Sequence, residues 1–145
     1  MAGLTIDTRP EEMIRGILEG ITFEIMINVE RLAGAGVAID ELAAVGGMAR
    51  SETFLQLKAD MMGKPVTSLL VSEAGTLGVA ILAGTACGAF RSHQEAVAGL
   101  VRKKRVYEPD PQQYAKYQAR FSTYKKLYPL MQELQQDKEA QGRIS

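Results

Sequence analysis

The chain has no tryptophan, one cysteine, one histidine and five prolines in 145 residues. A single cysteine excludes an internal disulfide, and neither it nor the lone histidine has a partner at metal-ligand spacing, so no metal site is expected. Few prolines, together with 46% apolar and 23% charged residues, exclude a disordered chain. Charge of either sign is not in excess: 17 basic residues balance 17 acidic ones. No global positive field therefore draws the chain to nucleic acid or anionic lipid, and any anion site must be local. The longest small and apolar run, Ala74 to Phe90, is short for a membrane span and rich in Gly and Thr. No basic region followed by an apolar stretch opens the chain as a signal peptide would. These absences predict a soluble, cytoplasmic protein with no nucleic-acid or membrane partner. Cys87, set among small and apolar residues, is expected to be a buried, inert thiol.

What is present reads as one α/β domain, long enough to bury roughly two-thirds of its unfolded surface. Thr8 is placed to cap a helix entered through Arg9-Pro10-Glu11, with Glu11 completing a capping box. Ile14, Ile17, Leu18, Ile21, Ile25, Val29 and Leu32 recur every three or four residues, predicting one buried stripe on a long helix within residues 1–36. Gly34-Ala35-Gly36 ends it, and Gly20 within it suggests a close backbone approach.

A strand, glycine turn and helix follow: Leu42 to Val45, Gly46-Gly47, then Ser51 opening the run Phe54, Leu55, Leu57, Met61. Gly63-Lys64-Pro65 closes that helix, and Val66 to Val71 is a second strand. Ser72 is placed to cap a third helix containing Leu77 to Ala86, whose glycines would let another backbone come close. The alternation predicts parallel pairing through a helical crossover, over residues 41–90. Ser92 and Glu95 form a capping box, and Arg102-Lys103-Lys104-Arg105 reads as a solvated basic face. Asp110-Pro111 starts a last helix over residues 110–134, with Tyr114, Tyr117, Phe121, Tyr124, Tyr128 and Met131 along one face as aromatic core.

Most of the chemical content lies in Val45-Gly46-Gly47-Met48-Ala49-Arg50-Ser51. Consecutive glycines after a strand let backbone amides turn toward a ligand, and the next helix adds unpaired amides and the positive end of its dipole. That suits an anion or a nucleotide; an ordinary tight turn explains the stretch equally well. Arg50 is placed to pair with a phosphate, and Ser51 is first of all a helix cap. Neither G-x-x-x-x-G-K-[ST] nor G-x-G-x-x-G is present at this turn, which speaks against a Walker ATPase and a dinucleotide site. Glu73-Ala74-Gly75-Thr76 offers a second helix start of the same kind. Asp60 and His93 have no sequence neighbours that make them acid, base or ligand, and both are read as structural.

The chain resembles the FGGY carbohydrate kinases, a family that includes xylulokinase and glycerol kinase. Gly3-Leu4 and Glu12-Met13-Ile14-Arg15-Gly16-Ile17-Leu18-Glu19-Gly20 resemble the end of that family's second pattern and its R-A-x-L-E-G helix, with Gly16 in the usual Ala or Ser place. Gly46-Gly47-Met48-Ala49-Arg50-Ser51 resembles its G-G-x-x-x-[S/N] turn. Glu73-Ala74-Gly75-Thr76-Leu77-Gly78-Val79-Ala80 resembles its E-x-x-x-L-G-A-A helix start. Tyr107-Glu108-Pro109-Asp110-Pro111 with Tyr117, Tyr124 and Tyr128 resembles its C-terminal Y-x-P-x-P tail.

The resemblance implies the C-terminal part of the second, actin-like (ribonuclease H-like) domain of a sugar or polyol kinase. It implies ATP with its magnesium as cofactor, Gly46, Gly47 and Met48 near the phosphates and ribose, and Ser51 by the adenosine. The aspartate base and most sugar contacts of such kinases belong to an upstream part, so this chain is expected to supply the nucleotide side only and to be inactive alone. Sugar would be bound through that upstream N-terminal part, with which the chain would pair. The alternative from the residues is a non-catalytic module that binds a protein or forms a homodimer through its aromatic helix or exposed strand edges.

Overall fold

The computed structural model describes residues 4–71 and 73–142. Its backbone falls into two units, Met1–Val37 with Pro111–Ser145, and Ala38–Asp110.

The first unit is a pair of long helices, α1 (Pro10–Gly34) and α5 (Pro111–Gly142). Pro10 takes the first helical position, where its missing amide costs nothing. The cap falls one residue later than expected: Arg9 precedes the helix and its amide donates to the Glu12 carboxylate at 2.9 Å. Thr8 instead accepts from the Thr5 amide at 2.8 Å. At the other end Gly36 adopts φ +84°, which a side chain resists, and α1 stops.

The buried side of α1 is not the expected isoleucine stripe. Thr22, Phe23 and Met26 are buried, whereas Ile14, Ile17, Ile21 and Leu32 are exposed and Leu18, Ile25 and Val29 half-buried. At about 100° per residue the exposed Ile14, Ile17, Ile21 and Leu32 lie well away from Phe23, whereas the half-buried Leu18, Ile25 and Val29 border Thr22. Phe23 sits among aromatic rings of α5, stacked on Phe121 at 5.7 Å and close to Tyr124 at 4.9 Å and Tyr117 at 6.4 Å. The larger, flatter aromatic surface selects the Phe23 side. The α5 stripe itself is core only in its middle: Tyr117 and Phe121 are buried, Tyr124 half-buried, and Tyr114, Tyr128 and Met131 exposed. The helix also continues past Leu134 to Gly142, carrying Pro129 inside it.

Polar groups fix the register of the pair. The Glu19 carboxylate, with its side chain 13% exposed, accepts from the Tyr117 hydroxyl at 2.7 Å and from Arg15 Nε at 3.0 Å. Arg15 Nη2 also donates to the Tyr117 oxygen at 2.9 Å, which is the main cause holding the guanidinium above its ordinary pKa. Burial pushes the Tyr117 phenol up. Glu24 accepts from Tyr124 at 2.6 Å, and Glu30 from Lys125 at 3.0 Å on the exposed surface.

The second unit is built on a three-stranded sheet in the order β1-β2-β3, with β1 at Leu42–Ala44, β2 at Val66–Leu69 and β3 at Lys103–Tyr107. The first two strands are parallel, with Leu42 opposite Val66 and Ala44 opposite Ser68, as the helical crossover requires. That crossover is α2 (Glu52–Met62), ended by Gly63 in the left-handed conformation at φ +62°. Leu55 and Ala59 of α2 pack on Val66 and Tyr107, with Leu42 and Ala44 beside them. The second strand ends at Leu69, two residues before Val71.

The third strand has no counterpart among the elements expected from the sequence. It pairs antiparallel with β2, Tyr107 opposite Val66 and Arg105 opposite Ser68. Four of its five residues are exposed, so the expectation of a solvated basic run holds, but the run is a strand at a sheet edge. Charged residues give no period-two apolar signal; β2 supplies the partner that makes it a strand.

After β2 come α3 (Ala74–Ala86) and α4 (His93–Leu100). The expected Ser72 cap lies outside the described residues, and Glu73 stands at the N-cap. The Ser92 hydroxyl caps α4, accepting from the Glu95 amide at 3.1 Å, while the Glu95 carboxylate accepts from Arg91 at 2.8 Å. The glycines do not serve close backbone contact: a side chain on Gly20, Gly75 or Gly78 would meet nothing within 4 Å. At Gly84 space is short: a Cβ would fall 2.6 Å from the Phe90 ring. Cys87 is exposed rather than buried: it stands just past the end of α3, where Ala86, Gly88 and Ala89 are exposed too. Among the described residues no helix is long and apolar enough to cross a membrane.

Candidate functional site

The glycine turn leaves the carboxyl end of β1. Gly46 adopts φ +83° and ψ −172°, a region that in practice only glycine occupies. The chain then makes one 3₁₀ turn, Gly47–Arg50, whose first internal bond is donated by Ala49 to the Gly46 carbonyl at 3.1 Å. The amides of Gly47 and Met48 come before that bond, where a helical turn has no internal acceptor for them. Ser51 accepts from the Phe54 amide at 3.3 Å and caps α2, the role its position implied. Gly46, Gly47, Met48 and Ser51 thus form one continuous turn at the start of an eleven-residue helix.

Its surface is open. A Cβ on Gly46 or Gly47 would meet nothing within 4 Å, and Met48 is 47% exposed. Arg50 and Ser51 are exposed as well. Glu52, in the first turn of α2, is engaged by Arg105 of β3 at 2.8 Å. In the sequence Arg105 is one charge of a basic run; its pairing with the acid nearest the turn needs the β3 register and carries no sequence signal.

The second helix start differs in form from the first. Glu73 has φ −102° and ψ 68° and α3 begins at Ala74 with no intervening 3₁₀ turn. Parallel pairing nevertheless makes the segments following β1 and β2 leave from the same end of the sheet. In open parallel sheets that end is where ligands are taken. The N-termini of α2 and α3 therefore both carry their positive dipole ends at the carboxyl edge of the strands.

Asp60 and His93 hold structural places. The Asp60 carboxylate accepts from Gln56 Nε2 at 2.8 Å and from the Asp110 amide at 3.0 Å, tying α2 to the chain after β3. His93 is the exposed first residue of α4. Among the described residues no group of three or more His, Cys, Asp or Glu side chains could hold a metal ion.

Residues 1–87 match the model of the C-terminal domain of the FGGY family of carbohydrate kinases. The chain belongs to that family. It is 31% identical to the xylulose kinase of Bacillus subtilis over 118 residues, 81% of this chain and 24% of that protein. It is 32% identical to the ribulokinase of Mycolicibacterium smegmatis over 142 residues, 92% of this chain and 25% of that protein. Among solved structures, a ligand-bound xylulose kinase from Lactobacillus acidophilus superposes with TM-score 0.79 at 28% identity, covering 90% of this chain and 26% of that one. The FGGY chain thus spans about a quarter of the length of its curated relatives. The family and the α/β actin-like fold expected from the motifs are both found.

Proposed function

We propose that this chain is the nucleotide-side part of an ATP-dependent sugar or polyol kinase, completed by an upstream part that brings the sugar and the base. The observation that carries this reading is the Gly46-to-Ser51 turn at the carboxyl end of a parallel strand, in a chain of the FGGY family. The turn suits a phosphate: it is open, free of acidic side chains between Gly46 and Ser51, and followed by the positive end of α2. Gly46, Gly47 and Met48 would lie along the α- and β-phosphates and ribose, and Ser51 by the adenosine. Magnesium would be carried with ATP and held mainly by its phosphates.

Phosphoryl transfer needs a group to accept the proton of the attacking hydroxyl and charges to steady the transferred group. The site described here supplies neither, so the isolated chain binds without turning over. Its place is the cytoplasm, where ATP and sugar meet. The test is hydrogen exchange with and without ATP and magnesium: slowed exchange over residues 46–51 is the expected result. Unchanged exchange at saturating nucleotide, or sugar phosphorylation by the purified chain, refutes the reading.

A further inference from the structure

The charge that the Gly46-to-Ser51 turn shows to a ligand is set by two residues outside it. Glu52 follows Ser51 directly, in the first turn of α2. A carboxylate there is drawn to the positive end of the helix, the same place that draws a phosphate. Left bare, it would repel an anion from the turn. Arg105 of β3 neutralises it, donating from Nη1 to Glu52 Oε2 at 2.8 Å.

The guanidinium is held from three directions. Arg105 stands opposite Ser68 and Ser68 opposite Ala44, so Arg105 occupies the row of the sheet in which β1 ends, two residues before Gly46. The Ser68 hydroxyl, on a side chain buried in β2, donates to the Arg105 carbonyl at 3.2 Å. The guanidinium carbon lies 5.0 Å from the centre of the buried Tyr107 ring, a cation–π contact. The paired side chains of Arg105 and Glu52 are 57% and 61% exposed, and an ion pair so open to water adds little to stability. Its consequence is electrostatic, at the turn.

We propose that Arg105 is a positioning residue for the nucleotide: by neutralising Glu52 it leaves the N-terminal end of α2 to the phosphates, without touching the ligand itself. The role rests on the nucleotide reading of the turn given above. A bare carboxylate roughly 8 Å from magnesium–ATP, with its net charge of about −2, weakens binding about fivefold in water and about twofold at about 0.15 M salt, where screening acts over the same distance.

The experiment titrates magnesium–ATP, and separately magnesium with inorganic triphosphate, into the full 145-residue chain by calorimetry, with amide exchange at residues 46–51 followed on the same samples. At low salt Arg105→Ala is expected to bind both ligands about fivefold more weakly than wild type, the gap narrowing to about twofold at about 0.15 M. Glu52→Gln, which leaves Arg105 unpaired and β3 untouched, is expected to bind about fivefold more tightly. The double variant Arg105→Ala/Glu52→Gln is expected to return to the wild-type affinity, which loss of a merely structural contact would not do. Equal affinity of Arg105→Ala and wild type, or no gain in Glu52→Gln, with protection at residues 46–51 intact, overturns the proposal and leaves the nucleotide reading standing. A double variant as weak as Arg105→Ala overturns it too, because Arg105 would then hold the phosphate directly. Absence of binding and of protection in the wild-type chain refutes the nucleotide reading and this role with it.

Discussion

Replacing Phe23 by alanine and, separately, Ile17 by alanine asks which side of α1 holds the helix pair together. Phe23 is 6% exposed and touches three rings of α5. Truncating a buried phenylalanine costs about 3–5 kcal/mol, a sum of lost transfer energy and the cavity left behind. Individual aromatic contacts contribute about 0.5–1.5 kcal/mol of it. Ile17 is 53% exposed, and substitutions at such sites stay within about 0.5 kcal/mol. Total stabilities of about 5–15 kcal/mol make the first loss a large share and the second barely measurable. Urea denaturation of the isolated chain, followed by circular dichroism, reads both as midpoint shifts at constant slope. Hydrogen exchange along α5 would locate the damage: amides near Tyr117 and Phe121 speed up in the Phe23 variant and stay unchanged in the Ile17 variant. A larger loss for Ile17→Ala than for Phe23→Ala would refute the packing described here and restore the isoleucine stripe as the buried side.

The remaining expectations concern the turn, the buried polar groups and the phenols. Gly46→Ala should destabilise by about 1–3 kcal/mol through its backbone conformation alone, since a Cβ there meets open space; Gly47→Ala, also open but not at positive φ, should melt within a degree or two of wild type in the same calorimetric scan. Tyr117→Phe removes the hydroxyl that donates to Glu19 at 2.7 Å and should cost about 1–2 kcal/mol in urea; a neutral result would show that Arg15 and Arg120 satisfy the carboxylate without it. Thr67, 2% exposed in β2, has a hydroxyl oxygen without a hydrogen-bond partner among the described residues, so Thr67→Val should raise stability by about 1 kcal/mol, and a loss would reveal a partner for it. Burial and then the Glu24 carboxylate push the Tyr124 phenol up to about 12 from 10.0. The folded chain therefore holds that proton more tightly than the unfolded one. Its contribution to stability is fully present below pH 10 and is lost as pH rises toward 12. Phenolate absorbance should show late-titrating phenols, Tyr117 among them, one of which Tyr124→Phe removes; a high-pH titration limb unchanged in that variant would refute it.

Several features were legible in the residues because they are set by the backbone within a few positions. Gly46-Gly47 announced the turn, Ser51 and Ser92 their caps, Pro65 the entry to β2, and strand-helix-strand spacing the parallel pairing. The FGGY motifs are of this local kind too, which is why family and fold could be named from them. Thr8 carries the better capping side chain, yet α1 begins one residue later, because the Glu12 carboxylate accepts from the Arg9 amide while Thr8 accepts from Thr5.

The sequence by itself determined the Ser51 and Ser92 helix starts, the glycine turn, and that α1 is rich in apolar residues. Tertiary structure decided which of those residues are used. Periodicity reports that a face is apolar and is silent about what lies opposite it, so the choice of Phe23 over the isoleucines waited for the rings of α5. In the same way Lys103 to Tyr107 became a strand only beside β2, and Arg105 met Glu52 only through that register. Local conformation follows from bonds and sterics a few residues apart, whereas burial and strand pairing depend on surfaces supplied by segments distant in the chain.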